Sequence, residues 1–252
     1  MNIIAVIPAR MASSRFPGKP LAPLHGVPML GHVYLRTRRN ARLSGVYIAT
    51  CDEEIRSYAR SIGAECVMTS SAHTRASDRT AEAVESIERT SARPIDAVVM
   101  VQGDEPMIVP SMIDEAIDPL IGDPALPVVN LMAPIDPADA ADPNEVKVAV
   151  DRRSNALYFS RFPLPWQQGP SAPPPMFKQV CVVPFRRDFL AAFATLEPTP
   201  LEQAESIDML RALEHGYVVR MTRTVHATCS VDTPADLAEV SRLMLGDPLL
   251  SF

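Results

Sequence analysis

Three cationic side chains stand close together in a short loop near the N-terminus. Arg10, Arg15 and Lys19 lie in the loop 8–20, which contains no acidic residue to neutralise them. Cations that converge with backbone N–H groups make an anion site, and a polyphosphate is the natural ligand. Gly18 permits a close backbone approach beside Lys19. A basic loop that faces only solvent is the alternative interpretation.

Carboxylates follow two other apolar segments of the chain. Asp104 and Glu105 come shortly after the apolar run 97–101, and Asp232 follows another run near the C-terminus. Carboxylates beside a buried strand need compensation, which Mg²⁺ and nucleotide phosphates supply in phosphate chemistry. Gln102 can donate and accept hydrogen bonds, so its amide can read a base edge. The alternatives are a turn or helix cap at Asp104 and an ordinary helix start at Asp232.

The first half of the chain alternates strand and helix patterns, which must position these loops. The predicted strands are 3–7, 46–49, 65–68, 97–101 and 128–132, and helices are predicted to start near residues 29, 52, 77 and 111. Apolar runs separated by helical patterns of about 10–15 residues indicate βαβ units and a doubly wound parallel sheet. In such a sheet, ligands bind beyond the carboxyl ends of the strands.

The second half has a different pattern. It predicts strands at 146–150, 156–160, 180–183, 217–221 and 225–231, and helices at 201–215 and 234–245. The segment 162–175 holds six prolines, which predicts a surface loop or arm. We therefore expect one α/β domain over residues 1–252, with a mainly parallel sheet and a small mixed-sheet insertion.

Composition excludes several classes of protein. A net charge of −6 argues against a general nucleic-acid-binding protein. No apolar run reaches the ~18–20 residues of a membrane span, and the N-terminus lacks signal-peptide features, so we expect a cytoplasmic protein without a membrane partner. The ten glycines form neither a G-x-G-x-x-G nor a P-loop motif. None of the four cysteines has C-x-x-C spacing, which argues against a zinc site.

Six ordered motifs resemble the 3-deoxy-manno-octulosonate (Kdo) cytidylyltransferases, the CMP-Kdo synthetases. They lie at 7–10, 15–21, 101–106, 143–147, 158–161 and 231–234, and thus span nearly the whole chain. The resemblance implies a Rossmann-like fold, CTP as substrate, Mg²⁺ as cofactor and a homodimer. It also implies that residues 1–135 mainly bind CTP, while 136–252 mainly bind the acceptor and form the dimer.

The resemblance further implies roles for individual residues. The catalytic residues would be Arg10, Arg15, Lys19 and Asp104. The nucleotide would be bound by Pro8, Ala9, Arg10, Arg15, Lys19, Ser77, Arg79, Gln102 and Gly103, with Gln102 reading cytosine. Mg²⁺ would be bound by Asp104 and Asp232, and the acceptor by Arg161, Gln179 and Asp208. An acceptor oxygen would attack the α-phosphorus in line, which requires alignment and charge neutralisation and no nucleophilic side chain.

The departures from the family pattern lie mainly in the acceptor half. Gln179, Cys181 and Val183 replace a His, a Gly and a Tyr, and the family's Leu-Glu-Gln-Leu-Arg is Ile-Asp-Met-Leu-Arg at 207–211. A smaller departure places Cys51 where the family has an Asp. In the Kdo enzymes, the acceptor-half positions bind sugar hydroxyls, so lost donors favour another small anionic acceptor. We therefore expect a phosphonate such as phosphonoformate, and the alternative is Kdo or a close 3-deoxy-ulosonic acid.

Two other classes of function stay open at this point. A nucleotide-binding regulator would keep the site without the chemistry, although the retention of both Asp104 and Asp232 argues against it. A sugar-binding module independent of nucleoside triphosphates would not be stabilised by CTP.

Overall fold

The computed structural model describes residues 1–13, 15–166, 168 and 174–250, which form two units. One unit is Met1–Asp114 together with Ala227–Phe252, and the other is Glu115–His226. The predicted arm at 162–175 lies partly outside the described residues. The single-domain interpretation stays a prediction. None of the described helices is long and apolar enough to cross a membrane.

The first unit contains the predicted alternation of strands and helices. Its elements are β1 (Ile3–Pro8), β2 (Pro23–Leu24), β3 (Val27–Pro28), α1 (Met29–Thr37), β4 (Gly45–Thr50), α2 (Glu53–Ser61), β5 (Glu65–Met68), α3 (Ala76–Glu88) and β6 (Ala97–Val101). The next helix is α4 (Pro110–Gly122). Both β1 and β6 are buried along their whole length, as their continuous apolar runs predicted.

The central sheet of this unit is parallel and doubly wound. Its strands lie in the order β5-β4-β1-β6, and every pairing is parallel. The chain builds outward from β1 to β5 and then returns to the other side of β1 with β6. A reversal of this kind opens a crevice at the carboxyl ends of the two central strands. The loops that carry the predicted basic residues and Asp104 leave from these two strands.

The second unit contains a mixed sheet, as predicted. Its elements are β7 (Val128–Pro134), β8 (Lys147–Val150), β9 (Ala156–Ser160), β10 (Phe177–Val180), β11 (Val182–Arg186), α5 (Arg187–Thr195), α6 (Pro200–Glu205), α7 (Asp208–Glu214) and β12 (Val219–Arg223). Strand β7 pairs antiparallel with β10 and β11 and parallel with β12. The β8–β9 hairpin extends the sheet beyond β10.

The last helix, α8 (Pro234–Leu243), belongs to the first unit. It begins with a capping box, in which the side chain of Thr233 accepts from the backbone N–H of Asp236 and the Asp236 side chain reaches back to the cap. This helix start agrees with the sequence prediction.

Three predictions for the second half were wrong in detail, and one helix was missed. The helix predicted at 201–215 is broken because Ser206 adopts a left-handed φ of 56° between α6 and α7. The strand at 180–183 is two strands that meet at Cys181. Residues 225–231 form no strand, because the chain passes there from one unit to the other. Helix α5 was not predicted, although Phe189, Leu190 and Phe193 bury one of its faces.

Candidate active site

The loop after β1 folds back on itself at Lys19. Gly18 has a left-handed φ of 74°, and its N–H donates to the carbonyl of Met11 at 3.2 Å. A short 3₁₀ helix, Lys19–Leu21, starts directly afterwards. The carboxylate of Asp52 accepts a hydrogen bond from the N–H of Met11 at 2.8 Å. These contacts restrain the loop at Met11 and Gly18, on both sides of Arg15.

The Lys19 ammonium lies between two carboxylates that are far apart in the sequence. Its Nζ donates to Oδ2 of Asp104 at 2.9 Å, to the carbonyl of Val231 at 2.7 Å and to Oδ1 of Asp232 at 3.3 Å. Burial lowers the pKa of Lys19, but the attraction and hydrogen bonds of Asp104 and Asp232 outweigh burial and leave that pKa raised. The side chain therefore stays a cation at neutral pH.

Arg15 reaches the same cluster from the solvent side. Its Nη2 lies 2.9 Å from Oδ1 of Asp232, and about half of the side chain stays exposed. The N–H of Val231 donates to the carbonyl of Asp104 at 2.9 Å, which joins the two acidic loops directly. The cap of α8 is Thr233, so the Asp232 carboxylate remains free of the capping role and faces the cations.

The two carboxylates fit a divalent cation that takes further ligands from a substrate. Asp104 and Asp232 both contact the Lys19 ammonium, so one cation can lie within reach of both. Within the described ranges, no group of three or more His, Cys, Asp or Glu side chains could hold a metal ion. Mg²⁺ often binds to one or two carboxylates and completes its shell with water and substrate phosphates. The residues present therefore fit Mg²⁺ bound together with a polyphosphate.

The β1 and β6 loops approach each other closely at glycine. A Cβ on Gly103 would lie 3.2 Å from the carbonyl oxygen of Pro8 and 3.3 Å from Cδ1 of Leu30. Pro8 and Ala9 are buried at the end of β1. Gln102 is half-buried, and its side-chain amide makes no hydrogen bond to the described part of the chain. Its amide is therefore available to a ligand.

Arg10 and Arg79 have very different surroundings. Arg10 is exposed and forms no ion pair with the described residues. Arg79 is buried, and its guanidinium donates to the Thr69 hydroxyl and to the carbonyls of Ser70 and His73. Arg79 thus shapes the loop that precedes α3.

Ser77 lies buried in the first turn of α3. It stands two residues from Arg79, on the helix that follows the loop. The binding of a nucleotide by Ser77 and Arg79 stays a prediction.

In the second unit, Arg161 binds carbonyl groups. Its Nε donates to the carbonyl of Glu205 at 2.7 Å, and its Nη1 donates to that of Pro143 at 2.8 Å. The Glu205 carboxylate accepts in return from the Arg161 N–H at 2.9 Å and from the Ser160 hydroxyl at 2.8 Å. Arg161 therefore holds this part of the unit together through its side chain.

Lys147 is fully buried beside Arg161. Its Nζ donates to the carbonyls of Asp142, Glu145 and Arg161 at 2.8, 2.6 and 2.5 Å. Burial lowers the pKa of Lys147, and the attraction of the Asp142 and Glu145 carboxylates offsets this only in part. The fourth and fifth sequence motifs are thus joined by one buried cation.

The remaining predicted acceptor residues lie on β10 and α7. Gln179 donates from Nε2 to Oδ1 of the buried Asn130 at 2.5 Å. Asp208 is the first residue of α7. Val183 and Met209, two of the positions that depart from the family pattern, are both 1% exposed. These two side chains therefore pack in the interior of the unit.

The cytidylyltransferase family model matches residues 4–223 of the chain. The chain belongs to this family. It is 44% identical to the 3-deoxy-manno-octulosonate cytidylyltransferase of Solibacter usitatus (strain Ellin6076) over 96% of this chain and 94% of that protein. It is 46% identical to the protein of the same name from Pelobacter propionicus (strain DSM 2379 / NBRC 103807 / OttBd1), over 95% of this chain and 96% of that protein.

A solved structure resembles this cytidylyltransferase over nearly its full length. It is CMP:2-keto-3-deoxy-manno-octonic acid synthetase complexed with CTP, with a TM-score of 0.87, 38% identity, and coverage of 97% of this chain and 98% of that chain. The predicted fold class, the resemblance to Kdo cytidylyltransferases and the enzyme class are confirmed. The protein is a CTP-dependent cytidylyltransferase.

Three acidic residues that organise this cytidylyltransferase were not predicted as parts of the site. They are Asp52, which restrains the basic loop, Glu205, which binds Arg161, and Asp236, which accepts the N–H groups of Asp232 and Thr233. Asp236 could have been found from the sequence, because it stands three residues after Thr233, at the spacing of a capping box. The roles of Asp52 and Glu205 depend on partners 41 and 44 residues away, so no local pattern indicates them.

Replacing Gly103 with alanine is expected to weaken CTP binding. The added methyl group would press on the carbonyl oxygen of Pro8, which cannot move without shifting the end of β1. Overpacking of this kind costs about 1–3 kcal/mol of folding stability. A shift at the end of β1 would also displace Pro8 and Ala9, so we expect KM for CTP to rise about tenfold, equivalent to about 1.4 kcal/mol of binding free energy. Steady-state kinetics would measure the change. The control is Gly122→Ala, where a Cβ meets nothing within 4 Å, and an equal effect there would refute the explanation.

Replacing Arg211 with methionine is expected to destabilise the enzyme strongly. Arg211 is 3% exposed, and its Nη2 lies 2.6 Å from Oε1 of Glu202, which is 1% exposed. The variant leaves a buried carboxylate without its cation, which costs about 3–5 kcal/mol. Urea unfolding would measure the free energy. Arg242→Met removes an exposed pair with Glu239 and should change stability by less than about 1 kcal/mol. Similar values for the two variants would contradict this assignment.

Proposed function

We propose that this cytidylyltransferase transfers CMP from CTP to Kdo or a closely related 3-deoxy-ulosonic acid, with Mg²⁺ bound by Asp104 and Asp232. The observation that carries the proposal is the meeting of Lys19, Asp104 and Asp232 at the carboxyl ends of β1 and β6. The site joins cations for phosphates to carboxylates for a metal. Nucleotidyl transfer needs both.

The chemistry follows from charge and alignment. The oxygen of an acceptor hydroxyl attacks the α-phosphorus of CTP in line and its proton passes to solvent. The bond between the α-phosphorus and the oxygen that bridges to the β-phosphorus breaks, and pyrophosphate leaves. Lys19 and Arg15 neutralise the charge that develops on the phosphate oxygens, and the exposed Arg10 adds a third cation from the same loop. Preorganised cations of this type lower the barrier without covalent chemistry by the protein.

The bound Mg²⁺ would neutralise phosphate charge and orient the phosphate chain. Asp104 and Asp232 would hold it, and Lys19 would keep the two carboxylates together before the nucleotide arrives. Gln102, with its free amide at the end of β6, would read the cytosine edge.

The choice of acceptor is supported by the relatives and by the burial of the altered residues. Relatives that match nearly the whole chain at 44–46% identity are named for Kdo. Their names favour Kdo or a close 3-deoxy-ulosonic acid as the acceptor over a phosphonate. Val183 and Met209 are interior residues, so at these two positions the departure from the family pattern concerns side chains that pack in the interior. This weakens the argument that lost hydroxyl partners require a different acceptor.

A comparison of acceptors tests the proposal. The purified enzyme would be incubated with CTP, Mg²⁺ and either Kdo or phosphonoformate, with pyrophosphate release measured and the CMP conjugate identified by mass spectrometry. We expect turnover with Kdo and at least about a hundredfold lower kcat/KM with phosphonoformate, as for a site that binds specific hydroxyl groups. Turnover with phosphonoformate alone would overturn the acceptor assignment. Absence of pyrophosphate release with both acids would favour a regulator or another acceptor class.

We also propose that the enzyme is a homodimer, as the family resemblance implies. Leu157, Phe162 and Trp166 are 63%, 80% and 89% exposed, and exposed apolar groups of this size favour association. Light scattering would measure the mass, and a single-chain mass at micromolar concentration would contradict the dimer. The cytoplasmic location stays a prediction.

A further inference from the structure

The segment 232–247, which begins with Asp232 and contains α8, is attached to other parts of the first unit at several points. Helix α8 starts two residues after Asp232, and Oδ2 of Asp236 accepts the N–H of Asp232 at 2.9 Å. Val240 and Met244 pack with Leu24 in a buried cluster. The position of Asp232 therefore depends on how α8 is held.

The far end of this segment is held by a buried ion pair. Arg36, on α1, has a side chain that is 0% exposed, and its Nη2 lies 2.6 Å from Oδ2 of Asp247. Asp247 directly follows the 3₁₀ helix Met244–Gly246 that continues from α8. The contact does not have hydrogen-bond geometry, so it restrains the end of the segment through the attraction between a buried guanidinium and its carboxylate.

Both ends of the segment thus contact parts of the chain that follow β1. The near end contacts Lys19 in the loop, and the far end contacts Arg36 in the helix that comes next. A helix of ten residues is about 15 Å long and stiff, so a tilt at one end displaces the other. A displacement of about 1 Å at a reacting site can reduce the rate by about a hundredfold.

We propose that Arg36 and Asp247 are positioning residues that act through α8 to place Asp232 beside Asp104. The pair does not touch the substrate. Its role rests on the proposed function of Asp232 in binding Mg²⁺ with CTP.

A double-mutant cycle tests this role in the full-length enzyme. Calorimetry would measure the Kd of CTP without acceptor, once with Mg²⁺ and once with a chelator, for the wild type, Asp247→Asn, Asp232→Asn and the double variant. We expect Asp247→Asn to raise Kd about tenfold with Mg²⁺ and less than about twofold with the chelator. In the Asp232→Asn background, Asp247→Asn should add almost nothing. The control is Glu239→Gln, which breaks an exposed ion pair on α8 itself.

The possible outcomes separate the two proposals. If Asp232→Asn weakens Mg²⁺-dependent binding and Asp247→Asn does not, the positioning role is wrong and the metal assignment stands. If Asp232→Asn has no effect, both fail. Equal weakening by Asp247→Asn with and without Mg²⁺, or an additive effect in the double variant, also overturns the positioning role.

A second variant covers loss of folding. If Asp247→Asn does not fold, Arg36→Met combined with Asp247→Asn removes both charges and leaves no unpaired buried ion. This double variant should show the same rise in the Kd of CTP in the presence of Mg²⁺. A wild-type Kd in the double variant would refute the proposal.

Discussion

Replacing Lys19 with methionine is expected to reduce kcat by about 10²- to 10³-fold, as for removal of one preorganised donor from a transition-state charge. The ammonium is held by Asp104 and Asp232 at 2.9 and 3.3 Å. It therefore lies at the place where the phosphates of CTP would meet the carboxylates. Methionine keeps a similar length and packing but cannot stabilise the charge that develops on the phosphate oxygens.

A second effect of Lys19→Met distinguishes this explanation from simple misfolding. Without the ammonium, Asp104 loses its ion pair with Lys19, while Asp232 keeps its ion pair with Arg15. Because the ammonium no longer competes for the two carboxylates, the Mg²⁺ concentration for half-maximal rate should not rise in this variant, although kcat falls.

Rates would be measured by pyrophosphate release at several Mg²⁺ concentrations, with circular dichroism to confirm folding. Arg242→Met, which removes an exposed cation from the same unit, should keep full activity. A folded Lys19→Met enzyme with a kcat near that of the wild type would show that Lys19 has only a structural role.

Replacing Asp104 with asparagine is expected to reduce kcat/KM by about 10³-fold, equivalent to about 4 kcal/mol of transition-state stabilisation. Asparagine is nearly the same size but lacks the charge that a divalent cation requires. The Mg²⁺ concentration for half-maximal rate should rise at least about tenfold, because only Asp232 would then supply a carboxylate.

The fold should tolerate Asp104→Asn. Lys19 keeps the Val231 carbonyl and the Asp232 carboxylate as partners, at 2.7 and 3.3 Å. The loss of one partly exposed pair is expected to change the melting temperature by only about 2–4 °C.

The control for Asp104→Asn is Asp118→Asn, an exposed position on α4. Mg²⁺ titrations of the rate would compare both variants with the wild type. An unchanged Mg²⁺ requirement in Asp104→Asn would refute the metal assignment for Asp104, even if the overall rate fell.

The first-half elements could be predicted because their signals are local. Strand β6 was predicted with the observed bounds, and β1 was predicted to within one residue, since each is a continuous apolar run. The break at Ser206 could not be predicted, because a left-handed φ at a residue other than glycine has no local sequence signature.

The positions of the basic loop and of Asp104 could also be predicted, because their signals are local. The basic loop and Asp104 stand directly after clear strands, so the rule for ligand binding in α/β sheets places them at one edge. The buried arginines were harder to interpret. Arg79 and Arg161 both bind backbone carbonyls, which their positions in family motifs do not reveal.

The sequence by itself determined the class of protein: an α/β enzyme of the cytidylyltransferase family, with cations and carboxylates in the loops after its strands. Short-range periodicity predicts the α/β class, and the six ordered motifs carry the resemblance to the family. Only the tertiary structure decided that Asp232 meets Lys19 and Asp104, more than 120 residues away in the chain. The physical reason is that this contact depends on the return of α8 to the first unit and on the packing of buried groups such as Arg36, which no local pattern encodes.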